Sequence, residues 1–273
     1  MESIFWSAMR LAKHSIRFNK TKNMVNRLKK TLKFFTLAVA SMATLLVLYL
    51  ILNNNSVENT FDGTQIFVVK NYADSLERAN YNDLLKEFGN HKKLPRGFEL
   101  QALIALSHYP ELKNTNIKFE LVDVEGSLYS QPEAKSLLSP GSERTYIVLI
   151  DTIKNGNLST LTLLKNLPFN AQIGVLSHEL AHTSYYLNKS SLYLLGDMIR
   201  YGCSSSYEKK FENETEQRVI DHGAGFQLLA WSNFQYEVKI REKKGHLYFS
   251  PEKIKDILQN NHHYIALWNT KDE

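Results

Sequence analysis

Two histidines lie four positions apart, with a glutamate directly after the first, in the segment GVLSHELAHTSYY at residues 174–186. Residues four apart on a helix lie one above the other, so His178 and His182 would present two imidazoles to one point. Imidazole nitrogens are common zinc ligands, and Glu179 is placed to act on a water at the metal and not to bind the metal itself. The spacing therefore predicts a zinc site in which Glu179 moves a proton.

The residues around this motif favour a buried helix over a surface helix with two solvated histidines. The approach AQIGVLS is apolar and small, with apolar residues at 173, 175, 176 and 180. Ala181 leaves room beside a metal, and Asn170 is a good N-cap for the helix that follows it. We therefore expect a helix over residues 171–188 that lies behind a functional site.

A catalytic zinc usually has three protein ligands and an open fourth position, so one more ligand is needed. The segment 209–231 reads as one long helix that carries Glu212, Glu214, Glu216, Asp221 and His222. Glu212 and Glu216 share a face, so one carboxylate can bind zinc while the other accepts the free ring N–H of a ligand histidine. From the residues alone, the register of the third ligand among Glu212, Glu214 and Asp221 stays open.

The motifs HELAH and ENETE together resemble the gluzincin metallopeptidases, the thermolysin-like zincins, in which HExxH is followed by a helix with Glu-x-x-x-Asp or Glu-x-x-Ala-Asp. They are also similar to a group of membrane-anchored bacterial HExxH proteins. The resemblance implies that His178, His182 and Glu212 bind Zn²⁺, that Glu179 is the general base, and that Glu216 is the carboxylate behind a ligand histidine. Residue 216 departs from the family pattern, which has Asp there.

The resemblance covers residues 170–231, and before them only the order of elements matches. In gluzincins a strand before the active-site helix forms the edge along which substrate lies, and RTYIVLID at 144–151 is in that place. Both faces of this strand are apolar, so only its edge would be free to pair with a peptide. The alternative is a central strand with both edges taken by protein.

His222 is a candidate to stabilise an oxyanion, as are Tyr185 or Tyr186. The alternative, which base rates of polar pairing favour, is that these side chains are partners of other buried polar groups.

The order of the elements predicts an α+β fold. The resemblance to gluzincins implies that this fold is a zincin-like domain, with helices around a small sheet. Residues 73–89 read as a helix ended by Gly89, and a second helix begins near Pro95 and stops near Pro110. Segments 117–126 and 144–151 read as strands, and the stretch between them reads as a loop.

The positive net charge of the chain is confined to its beginning. Of the 33 Lys and Arg residues, nine lie in residues 1–33 with one acidic residue, whereas the other 240 residues hold 24 basic and 27 acidic side chains. A nucleic-acid-binding protein would carry its basic residues on the folded domain, so we expect no nucleic-acid partner. The single cysteine, Cys203, excludes an intrachain disulfide and a cysteine-based zinc site.

The segment FFTLAVASMATLLVLYLIL, residues 34–52, has no charge and is long enough to cross a bilayer as a helix. We predict a basic cytoplasmic arm at 1–33, a transmembrane helix at 34–52, a polar linker at 53–60 and a domain at 61–273. The basic flank should stay in the cytoplasm, so we expect the domain to be extracytoplasmic and to lie in the periplasm. Either Met1 or Met24 can be the start.

These expectations combine into a membrane-anchored zinc metallopeptidase that acts on peptides or proteins. The alternative from another class is a catalytically inactive zinc-containing protein that binds peptides or serves as a scaffold, since its ligands and base would look the same in a sequence.

Overall fold

A computed structural model of the chain describes residues 66–123, 128–152, 163–242 and 248–270, together with 29, 33–42, 44, 45 and 48. The chain divides into two units, Met1–Leu52 and Asn53–Glu273. The predicted basic arm and linker lie outside the described residues, apart from 29 and 33, and the predicted membrane helix is described only in part. Within the described part of the chain, no helix has both the length and the apolar character that a membrane crossing requires.

The second unit is built from short helices before a sheet and long helices after it. The helices, in chain order, are α1 Asp74–Glu77, α2 Tyr81–Phe88, α3 Glu99–Ser107, α4 Phe169–Leu187, α5 Ser191–Cys203, α6 Ser205–Asp221, α7 Gly225–Glu242, α8 Pro251–Gln259 and α9 Ile265–Trp268. The strands are β1 Lys92–Lys93, β2 Asn116–Val122, β3 Leu128–Pro132 and β4 Thr145–Asp151. The predicted α+β class is therefore confirmed.

The four strands form one mixed sheet in the order β1-β2-β4-β3. Strands β1, β2 and β4 run parallel, while β3 pairs antiparallel with β4. Alternate residues of β2 and β4 are buried, which places one face of the sheet against the core; they are Ile117, Phe119, Tyr146, Val148 and Ile150.

Helix α4, which carries the HELAH motif, lies at the centre of the domain. Fifteen of its 19 residues are buried, so the helix is covered on nearly all sides by α3, α7 and the sheet. Gly174 permits the closest of these contacts, because a Cβ at this position would lie 2.1 Å from the carbonyl oxygen of Gln227 on α7. The helix begins one residue before Asn170, and the Asn170 side chain bonds the backbone of Tyr72 instead of capping the helix.

The predicted single helix at 209–231 is wrong, because the chain breaks there into α6 and α7. Gly223 has a φ of 88°, a left-handed conformation that ends α6 after His222. A Cβ at Gly223 would lie 2.1 Å from the carbonyl oxygen of Phe67, so the break is also a point of close packing. The Glu212 and Glu216 pair stays on α6.

The predicted role of β4 as the free edge is also wrong. Strand β4 is central, with β2 on one side and β3 on the other. This is the alternative that the sequence analysis left open. Among the described strands, β3 forms the edge of the sheet next to β4, and this segment was predicted to be a loop. Its last residue, Pro132, has no N–H to donate and lies where the backbone nitrogen faces away from β4, a position in which proline is tolerated.

Candidate metal centre

The two histidines of α4 and one glutamate of α6 converge on a single buried point. His178 Nε2 lies 3.1 Å from Glu212 Oε2, His182 Nε2 lies 3.4 Å from the same oxygen, and the two Nε2 atoms are 3.2 Å apart. A tetrahedral ion with bonds of about 2.0–2.1 Å separates its ligand atoms by roughly 3.3–3.4 Å. The three atoms are therefore already at the spacing that a bound metal ion would impose, and this group could hold one.

Helical periodicity explains why α6 supplies this ligand. Glu212, Thr215 and Glu216 lie at positions i, i+3 and i+4 and face α4, and all three are buried. Glu214, by contrast, is exposed and lies 3.7 Å from Lys210. Asp221 is also exposed, and its carboxylate accepts a hydrogen bond from Gln217. Of the three candidates for the third ligand, the structure brings only Glu212 to the histidines.

Electrostatics in the centre favour an ionised carboxylate. Burial alone would raise the pKa of Glu212, but hydrogen bonds with His178 and His182 outweigh it and hold that pKa well below its usual range. Burial lowers the pKa of both histidines; for His178 the bond to Glu212 reverses the direction, whereas the pKa of His182 stays lowered. A negative oxygen thus faces two nitrogens, which is the arrangement a cation requires.

Thr215 selects the tautomer of His182 that can bind a metal. Its hydroxyl donates to the carbonyl of Phe211 at 2.9 Å, so the hydroxyl oxygen is left to accept from His182 Nδ1, 3.3 Å away. With the ring proton on Nδ1, the Nε2 lone pair points to the centre. The sequence analysis predicted that a carboxylate would accept the free ring N–H of a ligand histidine. For His182 the acceptor is the hydroxyl of Thr215, which was not predicted.

Tyr201 of α5 positions the third ligand and was also missed by sequence reasoning. Its hydroxyl donates to Glu212 Oε1 at 2.6 Å, and burial together with this bond raises the pKa of Tyr201. Because Oε1 is taken, Glu212 offers a single oxygen, Oε2, to the histidines.

Glu216 was predicted to accept the ring N–H of a ligand histidine. It is fully buried, its charge raises the pKa of His178, and its Oε2 accepts a hydrogen bond of 2.6 Å from the N–H of Phe249. His178 Nδ1, however, has no hydrogen-bond partner among the described residues. The predicted bond between these two side chains is therefore not formed in this structure.

Glu179 lies next to the three ligand atoms without joining them. Burial raises the pKa of Glu179 to about 7; the charge of His178 lowers it, the charge of Glu212 raises it, and a hydrogen bond from the backbone N–H of Ser130 lowers it. Its Oε2 has no hydrogen-bond partner among the described residues. A carboxylate with a pKa near neutrality and a free oxygen is suited to accept and return a proton.

Aromatic rings fix the two ligand imidazoles. His182 lies between Phe211 and Tyr186, with nearly parallel rings and centroids 5.3 and 6.1 Å away. His178 packs against Trp231 and Tyr248, with centroids 5.2 and 5.6 Å away. These ring contacts favour the observed orientation of both imidazoles, which helps to preorganise the centre.

The centre forms the floor of a cleft of about 390 Å³. One wall is the whole of β3, and the opposite wall is α5, which contributes Leu194, Met198 and Tyr201. Glu179, His178, His182 and Glu212 all line the cleft, and Tyr186 lines it as well.

The edge that β3 presents to this cleft follows from its register. The N–H of Glu133 donates to Thr145 on β4, so Gln131 and Tyr129 also direct their backbone groups to β4. The backbone groups of Leu128, Ser130 and Pro132 consequently point away from β4. The bond from Ser130 N–H to Glu179 agrees with this orientation.

His222, the candidate oxyanion stabiliser, is used elsewhere. Its Nδ1 donates to the carbonyl of Arg218 at 2.7 Å, its Nε2 lies 3.0 Å from Glu111 Oε1, and its ring stacks on Tyr109. It is not among the residues that line the cleft. The structure thus gives His222 the role of a partner for buried polar groups, which was the alternative. Tyr185 is likewise engaged, with Asp197 at 2.6 Å.

Glu111, the partner of His222, also accepts a hydrogen bond from Ser184 of α4, and this buried contact yields a prediction for the stability of the domain. Burial raises the pKa of Glu111, but bonds from His222 and Ser184 outweigh it, so the pKa is lowered. A lowered pKa means that ionised Glu111 stabilises the folded state. This stabilisation is fully present above the pKa of Glu111 in the unfolded chain, about 4.3, and is lost as the pH falls through its lower pKa in the folded protein. We expect Glu111→Gln to reduce the free energy of unfolding by about 1–3 kcal/mol at neutral pH and to flatten this part of the acid dependence.

Thermal unfolding of the metal-free wild type and variant between pH 3 and 7 measures the difference, because a bound metal would itself respond to pH. Glu87→Gln is the control, because Glu87 forms an exposed pair with Lys113 and should contribute little. Equal pH profiles for wild type and Glu111→Gln would contradict a stabilising role for the buried hydrogen bonds of Glu111.

Comparison of the chain with models of protein families, with curated proteins and with solved structures finds no match. The likeness to gluzincins therefore remains a resemblance of residues 170–231.

Proposed function

We propose that the chain is a membrane-anchored zinc metallopeptidase with a zincin-like domain. The observation that carries the proposal is the convergence of His178, His182 and Glu212, with Glu179 beside them, on the floor of a cleft whose wall is an open strand edge. Each part has a role in peptide hydrolysis, and together they match the gluzincin arrangement that the motifs resemble.

Zinc is the metal that this donor set suits best. Two imidazole nitrogens and one carboxylate oxygen are frequent ligands of catalytic zinc, whereas calcium and magnesium prefer sites made only of oxygen. Bound there, zinc would supply Lewis-acid chemistry, polarising a carbonyl and lowering the pKa of water.

The residues of the chain supply proton transfer and orientation. Glu179 takes a proton from the attacking water and delivers it to the leaving amine, which requires a free carboxylate oxygen within the cleft. Glu212, held by Tyr201, and His182, held by Thr215, keep their ligand atoms in place throughout. The apolar side chains of α5 and β3 exclude water from the opposite walls.

Strand β3 provides a place for the substrate backbone. An extended peptide can add to a sheet edge through main-chain hydrogen bonds, which carry the scissile bond to the floor whatever its sequence. The groups available are the N–H and C=O of Leu128 and the C=O groups of Ser130 and Pro132, since Ser130 N–H is engaged by Glu179.

Proline substitution tests this edge. We expect Leu128→Pro to lower kcat/KM for extended peptides about fivefold, since it removes one outward donor worth about 1 kcal/mol. Bound zinc and the melting transition should not change. Tyr129→Pro is the matched control: it removes an N–H that pairs with β4, so it should lower the melting temperature. Wild-type cleavage by Leu128→Pro would remove β3 as the substrate edge.

The anchor is supported by residues 33–48 as far as they are described. They are helical, and their large apolar side chains are exposed, from 50% for Leu48 to 74% for Phe34. A helix that exposes such side chains is stabilised by lipid and not by water. The basic arm at residues 1–33 keeps the beginning of the apolar segment 34–52 in the cytoplasm, and so places the domain on the other side of the membrane.

Metal analysis and a peptidase assay on the purified full chain test the function. We expect about one zinc per chain and cleavage of extended peptides that a chelator abolishes and added zinc restores. Absence of zinc both as purified and after zinc addition would reject the proposal. Zinc and peptide binding without cleavage would support the inactive peptide-binding alternative instead.

A further inference from the structure

Helix α5 exposes apolar side chains on the side that faces away from the cleft. The described part of the domain has 12 exposed large hydrophobic residues, and five of them lie on this one helix: Leu192, Tyr193 and Ile199, which do not line the cleft, and Met198 and Tyr201, which do. Ile199 is 66% exposed, more than any other of the five. A contiguous exposed apolar face of this kind marks a candidate contact surface.

The outward residues form a continuous stripe along α5. Leu192, Leu195, Ile199 and Cys203 lie at positions i, i+3, i+7 and i+11, and none of them is charged. Cys203 is exposed, and a Cβ built at Gly196 or Gly202 meets no atom within 4 Å. Nothing in the described domain lies over this stripe, which we call the α5 stripe.

Basic side chains outnumber acidic ones in the sequence around the stripe, in a domain that is otherwise slightly acidic. Residues 189–210 carry Lys189, Arg200, Lys209 and Lys210 against Asp197 and Glu208, while residues 34–273 carry more acidic than basic side chains. Lys189 lies over the rings of Tyr185 and Tyr193, at 5.0 and 4.9 Å. Aliphatic residues bordered by tyrosines and bases are typical of a helix that lies in the interface of an anionic membrane.

We infer that the α5 stripe docks on the surface of the bilayer in which the chain is anchored. The inference rests on the proposed anchor, which ends at residue 52, while the described domain begins at residue 66. Residues 53–65 reach no more than about 45 Å when fully extended, so the domain cannot leave the neighbourhood of the membrane. A second copy fits less well, because a symmetric pairing of two stripes would bring their flanking bases together.

Docking would set the class of substrate. The cleft side of α5 carries Leu194, Met198 and Tyr201, so a docked stripe places the mouth of the cleft beside the lipid headgroups. The peptides that reach it are the extended segments of membrane proteins next to the bilayer.

Cys203, the only cysteine of the chain, permits a direct test. The full chain, labelled there with a polarity-sensitive fluorophore, is reconstituted into vesicles with about one-third anionic phospholipid. We expect emission shifted to the blue and quenched by lipids that carry a shallow nitroxide. The control carries the label at Lys86→Cys in a Cys203→Ser background, on exposed α2, and should report water.

Replacing Ile199 by Glu should return the Cys203 label to water and leave bound zinc unchanged, since Ile199 does not line the cleft. Chain that sediments with the vesicles while the Cys203 label reports water would overturn docking and leave the anchor and the peptidase intact. Chain that does not sediment with vesicles would overturn the anchor and docking together. If shielding of the Cys203 label depends on protein concentration and lipid quenchers have no effect on it, docking is overturned, and a second copy of the chain covers the stripe instead.

Discussion

Glu179→Gln is expected to keep bound zinc and to lower peptide cleavage by about 10²–10⁴-fold. The amide has the size of the carboxylate but cannot accept a proton, and proton transfer by a positioned side chain contributes a factor of this order. Glu179 is not among the three converging ligands, so the coordination should be unaffected. Zinc content and kcat on the same preparation measure the two effects separately.

His182→Ala provides the contrast, because it removes a ligand and should lose zinc and activity together. If Glu179→Gln loses the metal as well, Glu179 is a ligand and its role as the base is wrong. If the variant keeps both zinc and turnover, another group accepts the proton.

Glu212→Ala is expected to weaken zinc binding by more than about 100-fold, and Glu214→Ala should leave it unchanged. The two residues lie two positions apart on α6, but only Glu212 faces the histidines, whereas Glu214 lies exposed near Lys210. Loss of an outer partner alone typically costs 10–100-fold in metal affinity, and loss of a ligand costs more. Competition with a chromophoric chelator gives the affinities.

Three outer variants should fall between these limits. Tyr201→Phe and Thr215→Val should weaken zinc binding about 10–100-fold, because each removes a hydrogen bond to a ligand, and Glu216→Ala should lie at the lower end, because Glu216 acts on His178 only through its charge. The first two are nearly isosteric and remove one hydroxyl each, which separates hydrogen bonding from packing. Equal effects of Glu212→Ala and Glu214→Ala, or a larger effect of Asp221→Ala, would contradict the ligand assignment.

The parts of the site that short spacing determines were predictable from the sequence. Periodicity alone places His178 and His182 on one face of α4, and places Glu212 with Glu216 on one face of α6. That Glu212 and not Glu214 meets the histidines depends on how two helices pack, which spacing does not determine. The gluzincin resemblance supplied that choice, and the geometry agrees with it.

Contacts between distant elements were not predictable in the same way. Tyr201 and Thr215 act through hydroxyls, and nothing in their local sequence distinguishes them from other tyrosines and threonines. The strand β3 is only five residues long and ends in proline, so its pattern was weaker than that of β4. Gly223, in contrast, was a visible break signal within the predicted helix 209–231 and should have divided it.

The position of β3 has a consequence for which molecules can be cut at all. A free sheet edge invites another sheet to add to it, but α5 stands across the cleft, and Pro132 interrupts the row of donors. A cleft of about 390 Å³ has room for a short extended segment and is far smaller than a folded domain. For the proposed peptidase, a protein becomes a substrate only when one of its segments opens. The rate of cleavage would then follow the free energy of local unfolding in the target more closely than its amino-acid sequence. Such an enzyme would remove damaged or unassembled chains and spare native ones.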